Sequence, residues 1–282
     1  ALVAAQVPAT GRFDPGHAAV MMGYDFHLTA AGPRLIEVNT NAGGALPAWL
    51  AGHPDTPWPE RFRNRLLGTF ATEMTSWSRG VLTKPQRIAI VDETPQEQFL
   101  SPEMQAFAEL FREWGAAVAI VAPEELAASP EGVSLAGERV DLLYNRHCDF
   151  YLETPALAGI RAAYLAGTIC LTPNPFAYAL LADKRRLTVW RDATLLAACG
   201  MAPADCELLL EVIPECRMLA EGDREQLESS LRGRAIRTAD RRAARRLPPA
   251  GGSHAAAHAG RVCRPGPPAG HGAAVAPPAD RR

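Results

Sequence analysis

The chain reads as an α/β protein in which an antiparallel β-hairpin precedes a parallel sheet. Two features predict this class. Short apolar runs such as Arg87-Ile-Ala-Ile-Val91 alternate with amphipathic helical stretches such as Ser101 to Trp114, the signature of βαβ units. Ahead of them, two β-prone runs flank the turn Ala30-Ala31-Gly32-Pro33, as in a hairpin. With 282 residues, 48% of them hydrophobic, the chain can build proper cores without staples.

Taken in order, Ala18 to Leu28 predicts a first strand and Arg34-Leu-Ile-Glu-Val-Asn39 a second, ending in Asn41-Ala42-Gly43-Gly44. After a Pro-rich loop, Pro54 to Pro59, a helix is expected over residues 60–80. Phe62, Leu66, Leu67, Phe70 and Met74 share its apolar face. Lys84-Pro85 marks a new start. Strand Arg87–Val91, helix Ser101–Trp114 and strand Ala116–Val121 then form a βαβ unit. A hairpin around Gly132 to Gly137 and strand Val140-Asp-Leu-Leu-Tyr144 come next. They are followed by a helix from Pro155 to Ala166 and strand Thr168-Ile-Cys-Leu171. A parallel, doubly wound sheet is the natural outcome, without the G-x-G-x-x-G of a dinucleotide site. Residues 176–200 read as helix ended by Gly200, and Cys206 to Val212 as one more strand.

Charge divides the chain. Residues 1–231 hold 18 basic and 29 acidic residues, net −11, whereas 232–282 hold 11 Arg and 2 Asp, net +9. From Arg232 onward Ala, Arg, Pro and Gly dominate, no aromatic residue occurs, and no apolar period is present. Such a segment cannot bury a core and is expected to be disordered. Its composition is that of a G/C-rich gene read out of frame. The alternative is a basic arm for nucleic acid around Arg241, Arg242, Arg245 and Arg246, which lacks the stacking aromatics of a single-strand binder. Six cysteines show no C-x-x-C pair and read as free, mostly buried thiols. No apolar run approaches the roughly 18 to 20 residues of a bilayer span. No secretory signal is visible, so a cytoplasmic protein is expected, and the first residue, Ala1, points to a fragment.

The hairpin carries the chemistry. Asp25 lies on one strand, and Glu37 and Asn39, two apart, point to one face of the other. Two carboxylates and an amide oxygen suit Mg²⁺; the alternative is a solvated polar face on an edge hairpin. Gly43 and Gly44 let backbone approach a ligand. Arg146, just past a strand's carboxyl end, could hold a substrate carboxylate bidentately or pair with Asp149. His147 and Cys148, as neighbours on a strand, would point to opposite faces and form no nucleophile–base pair.

The stretch from Gly23-Tyr-Asp25 to Leu35-Ile-Glu37-Val-Asn39-Thr-Asn41-Ala-Gly43-Gly44 resembles the metal-binding end of ATP-grasp ligases of the D-alanyl-D-alanine ligase type. Ala182-Asp183-Lys184, followed by a helix ending near Gly200, is similar to the Asp-Lys helix that opens their ATP-binding region. The order is reversed here, as in circularly permuted ATP-grasp proteins. The resemblance implies four segments. Residues 1–80 would be the metal-bearing half of the grasp and 84–178 a Rossmann-like pre-ATP-grasp substrate domain. Residues 179–231 would begin an incomplete ATP lobe, and 232–282 would be the tail. It also implies that Asp25, Glu37 and Asn39 hold Mg²⁺ bridging the phosphates of ATP. Lys184 would contact phosphate, and Asn41, Gly43 and Gly44 would lie near the transferred group. Where the family carries Arg two positions before the hairpin Asp, this chain has Gly23. The implied activity is ATP-dependent ligation of a small-molecule carboxylate to an amine or thiol through an acyl phosphate. A non-catalytic binding remnant is the alternative. Neither a membrane nor nucleic acid is an expected partner.

Overall fold

The computed structural model describes residues 7–53 and 58–216, which belong to one compact unit, Ala1–Arg224. The expectations for the tail from Arg232, and for the ATP lobe beyond residue 216, lie outside the described residues. A single turn, α1 (Ala9–Arg12), precedes the hairpin of β1 (Gly23–Thr29) and β2 (Gly32–Asn39), which pair antiparallel. The first strand begins at Gly23 rather than Ala18. Around residues 17–20 the main chain bonds to side chains instead of a partner strand: Asn174 Nδ2 donates to the Ala18 carbonyl at 2.7 Å, and Val20 N–H to Thr172 Oγ1 at 3.3 Å.

Two helices follow, α2 (Ala45–Gly52) and α3 (Glu60–Trp77). The parallel sheet then forms from β3 (Arg87–Val91), helix α4 (Ser101–Glu113) and β4 (Ala117–Val121). The turn-rich stretch after β4 holds a three-stranded antiparallel meander of β5 (Ala127–Ser129), β6 (Gly132–Leu135) and β7 (Glu138–Arg139), one strand more than the expected hairpin. Strand β8 (Leu142–Asn145), helix α5 (Ala158–Ala166) and β9 (Cys170–Thr172) complete a four-stranded sheet of order β4-β3-β8-β9, with every pairing parallel. The molecule is thus mixed α/β, as the alternation of patterns predicts. Among the described residues no helix is long and apolar enough to cross a membrane.

Strands β3, β8 and β9 are buried because residues 88–91, 142–144 and 170–171 are apolar in succession, whereas the edge strand β4 is only partly covered. Ile88, Ile90, Leu142 and Tyr144 face α3 and α4, while Ala89, Val91, Leu143 and Leu171 face α5 and the meander. Helix α3 therefore joins residues from the start of the chain to the core of the parallel sheet. Phe70 meets Phe111 and Tyr144 edge-to-face, at ring separations of 4.7 and 5.1 Å, a favoured aromatic geometry.

The long helix expected over 176–200 is broken. It comprises α6 (Pro175–Ala177), a π-helical turn (Tyr178–Ala182), α7 (Arg186–Val189) and α8 (Ala193–Ala198). The breaks fall at aspartates: Asp183 is extended, and Asp192 caps α8 by accepting from Leu195 N–H at 3.0 Å. The strand expected over Cys206–Val212 is instead within helix α9 (Pro203–Val212). Pro203 sits in its first turn, and Cys206, Leu209 and Ile213 recur at helical spacing, with Leu209 and Ile213 in one cluster. The apolar run was short enough to fit either period.

Because Phe70 is wholly buried among three aromatic rings, Phe70→Ala is expected to lower stability by about 3–5 kcal/mol. Urea unfolding followed by circular dichroism measures it; a loss below about 1 kcal/mol would contradict the assignment of α3 to the sheet's core.

Candidate functional site

The register of the hairpin sets Asp25 directly opposite Glu37 and Gly23 opposite Asn39. A bulge between Asp25 and Phe26 leaves Ile36 without a partner. Leu35 and Val38 are buried and pack with Leu187 and Ile213, while Glu37 and Asn39, by alternation, lie on the face away from Val38. Asn39 Nδ2 donates to Asp25 Oδ2 at 3.3 Å. The three residues singled out as metal ligands are thus neighbours on one patch. Among the described residues no three His, Cys, Asp or Glu side chains gather into a metal-sized cluster; the patch offers two carboxylates and an amide. That donor set matches a Mg²⁺ that takes its other ligands from water and phosphate oxygens.

Lys184 reaches the same patch from the other end of the described chain, with Nζ 3.4 Å from Glu37 Oε1. It is held there by its neighbour. Asp183 is buried, accepts from Tyr151 Oη at 3.0 Å and from Arg185 Nε at 2.9 Å, and also pairs with Arg185 Nη2. Burial pushes the Asp183 carboxyl up, but the hydrogen bonds from Arg185 outweigh it and hold it below the usual carboxylate range. The Asp-Lys pair divides the work: Asp183 anchors the segment, and Lys184 stays exposed beside Glu37.

The loop after β2 is clamped. Arg146, at the carboxyl end of β8, is buried. Its Nη1 donates to Asn41 Oδ1 and, at 2.9 Å, to the Ala42 carbonyl, while Asn41 Nδ2 donates back to the Arg146 carbonyl at 3.2 Å. Its Nη2 lies 3.7 Å from Glu103. Glu103 in turn accepts from Gly44 N–H at 2.9 Å and Leu46 N–H at 3.3 Å, capping α2 as an anion at a helix N-terminus. A Cβ on Gly43 would stand 2.5 Å from Arg146 Nη2 and 2.6 Å from Leu100 Cδ1, and Gly44 has φ of +88°. Both glycines are therefore required by the loop's path. Arg146 makes no ion pair with Asp149, which instead accepts from Thr154 N–H at 2.6 Å and Tyr151 N–H at 3.2 Å. His147 and Cys148 follow β8 in a loop rather than on the strand; His147 is buried and Cys148 exposed.

Sequence reasoning missed Glu103, Asp92 and Arg65. Glu103 had a signal, because it falls in phase with Phe107 and Phe111 on the apolar face of α4. Asp92 ends the apolar run of β3 at the sheet's carboxyl edge, where burial pushes its carboxyl up. Arg65 lines a cavity of about 660 Å³ between Met21–Gly23, the loop and α3; nothing in the sequence marked it. Of the five described cysteines only Cys170 and Cys206 are buried; Cys148 and Cys199 are exposed and Cys216 is half-buried, so the thiols are not mostly buried as expected. Comparison with protein-family models gives no match, and comparison with curated proteins gives none.

Two outcomes are expected from these contacts. Gly43→Ala should cost about 1–3 kcal/mol in urea unfolding, since the added methyl must displace Arg146 or Leu100. Asp183→Asn should cost a similar amount at pH 7, about 1–3 kcal/mol. The folded-state pKa of Asp183 is depressed, so its contribution is present above the unfolded value of about 3.9 and lost as pH falls through the folded value. Wild type and variant should therefore converge in stability as the pH is taken down through the depressed folded-state value.

Proposed function

We propose that the hairpin end binds Mg²⁺ and the phosphates of ATP in a carboxylate–amine or carboxylate–thiol ligase of ATP-grasp type. The single observation that supports this most is the meeting of two motifs far apart in sequence: Lys184 lies 3.4 Å from Glu37, on the patch shared by Asp25 and Asn39. In this reading Asp25, Glu37 and Asn39 hold the metal, and Lys184 contacts phosphate. The metal, when bound, would neutralise the charge of the phosphate oxygens.

The rest of the chemistry belongs to the chain. Lys184 is largely exposed and Glu37 half-buried, so the pair is worth under about 1 kcal/mol and yields easily to a metal on Glu37 and a phosphate on Lys184. Asp183 keeps the lysine's backbone in place during that exchange. Asn41, Gly43 and Gly44 form a loop near the transferred group, and Arg146 is the residue that positions it, because its guanidinium faces Asn41, Ala42 and Glu103. A substrate carboxylate would be phosphorylated to an acyl phosphate, from which the amine or thiol displaces phosphate.

Calorimetric titration of the full chain with ATP in excess Mg²⁺ tests the reading. Saturable binding is expected, abolished by EDTA and by the double substitution Glu37→Ala, Asn39→Ala, and weakened about tenfold (about 1.4 kcal/mol) by Lys184→Ala. No saturable binding by the wild-type chain would refute it. Binding without ADP release in the presence of carboxylates and amines or thiols would select the non-catalytic binding module instead.

A further inference from the structure

We infer that the cavity beside the glycine loop takes a small monocarboxylate with an apolar body, anchored by Arg65. The cavity's volume of about 660 Å³ lies in the range of small-molecule sites. Met21, Met22, Phe62 and Leu66 line it, and Arg65 is the one charged residue among its lining. Arg65 has no ion-pair or hydrogen-bond partner among the described residues. Two other polar groups of the wall are already engaged: Gly44 N–H donates to Glu103 at 2.9 Å, and the Thr69 hydroxyl to the Leu66 carbonyl at 2.6 Å.

One cationic side chain thus borders a space whose other lining side chains, Thr69 apart, are apolar or absent. A phosphate ester would bring a second negative charge for which no second cationic side chain lines the cavity, and a neutral hydrocarbon would make no use of the guanidinium. A carboxylate matches both the charge and the forked donors of arginine. Gly23 lines the cavity and pairs across the hairpin with Asn39, so the ligand would lie beside the proposed nucleotide patch. Its role as the acid to be activated rests on the ligase reading; its binding does not.

Titration of hexanoate and hexan-1-ol into the full chain, read by calorimetry, tests the assignment. Hexanoate should bind saturably and hexan-1-ol at least tenfold more weakly. Arg65→Gln, at an exposed position, should weaken hexanoate about tenfold and leave hexan-1-ol unchanged, with Arg65→Lys partly restoring the acid. Thr69→Phe, which fills the cavity, should weaken both. Absence of saturable hexanoate binding, or equal affinity in wild type and Arg65→Gln, would overturn the proposal. The two readings fail separately. Hexanoate binding retained by a chain that binds no ATP removes the ligase reading and leaves the cavity assigned, whereas ATP binding without hexanoate binding does the reverse.

Discussion

The grip of Arg146 and Glu103 on the loop Asn41–Leu46 is the constraint on which the rest of the structure depends. Both charged side chains are almost wholly buried, and a buried charge without partners would cost several kcal/mol. The loop supplies those partners from its own backbone and from Asn41. Since Arg146 directly follows β8 and Glu103 lies in the first turn of α4, the end of the hairpin is tied to the carboxyl edge of the parallel sheet.

The candidate patch is built the opposite way. Its scaffold is firm: Leu35 and Val38 are buried against α7 and the chain after α9, and Asp183 is bonded from Tyr151 and Arg185. Its tips are not. Asp25 is exposed, Glu37 and Asn39 are half-buried, and Lys184 is largely exposed. Groups that must exchange partners with a ligand can do so cheaply only when their resting contacts are weak.

The strand order places these features together. From β3 the chain passes to β4 on one side and then returns to β8 on the other, so the strand order reverses between β3 and β8. At such a reversal the loops part and leave a crevice outside the strands' carboxyl ends. Asp92 and Arg146 stand at that edge, and the glycine loop enters it through Arg146.

The sequence by itself determined the local elements whose signals are short-range. The hairpin with Asp25, Glu37 and Asn39 was legible because its alternation and turn are both local, and the βαβ units because their two periods differ. Where an apolar run was short, as at Cys206–Val212, period alone could not separate strand from helix. Only the tertiary structure decided that Lys184 meets Glu37, that Arg146 faces the loop rather than Asp149, and that Arg65 lines a cavity. Each of these is a contact between segments distant in the chain. Such placements follow from how distant segments pack together, which no local pattern encodes.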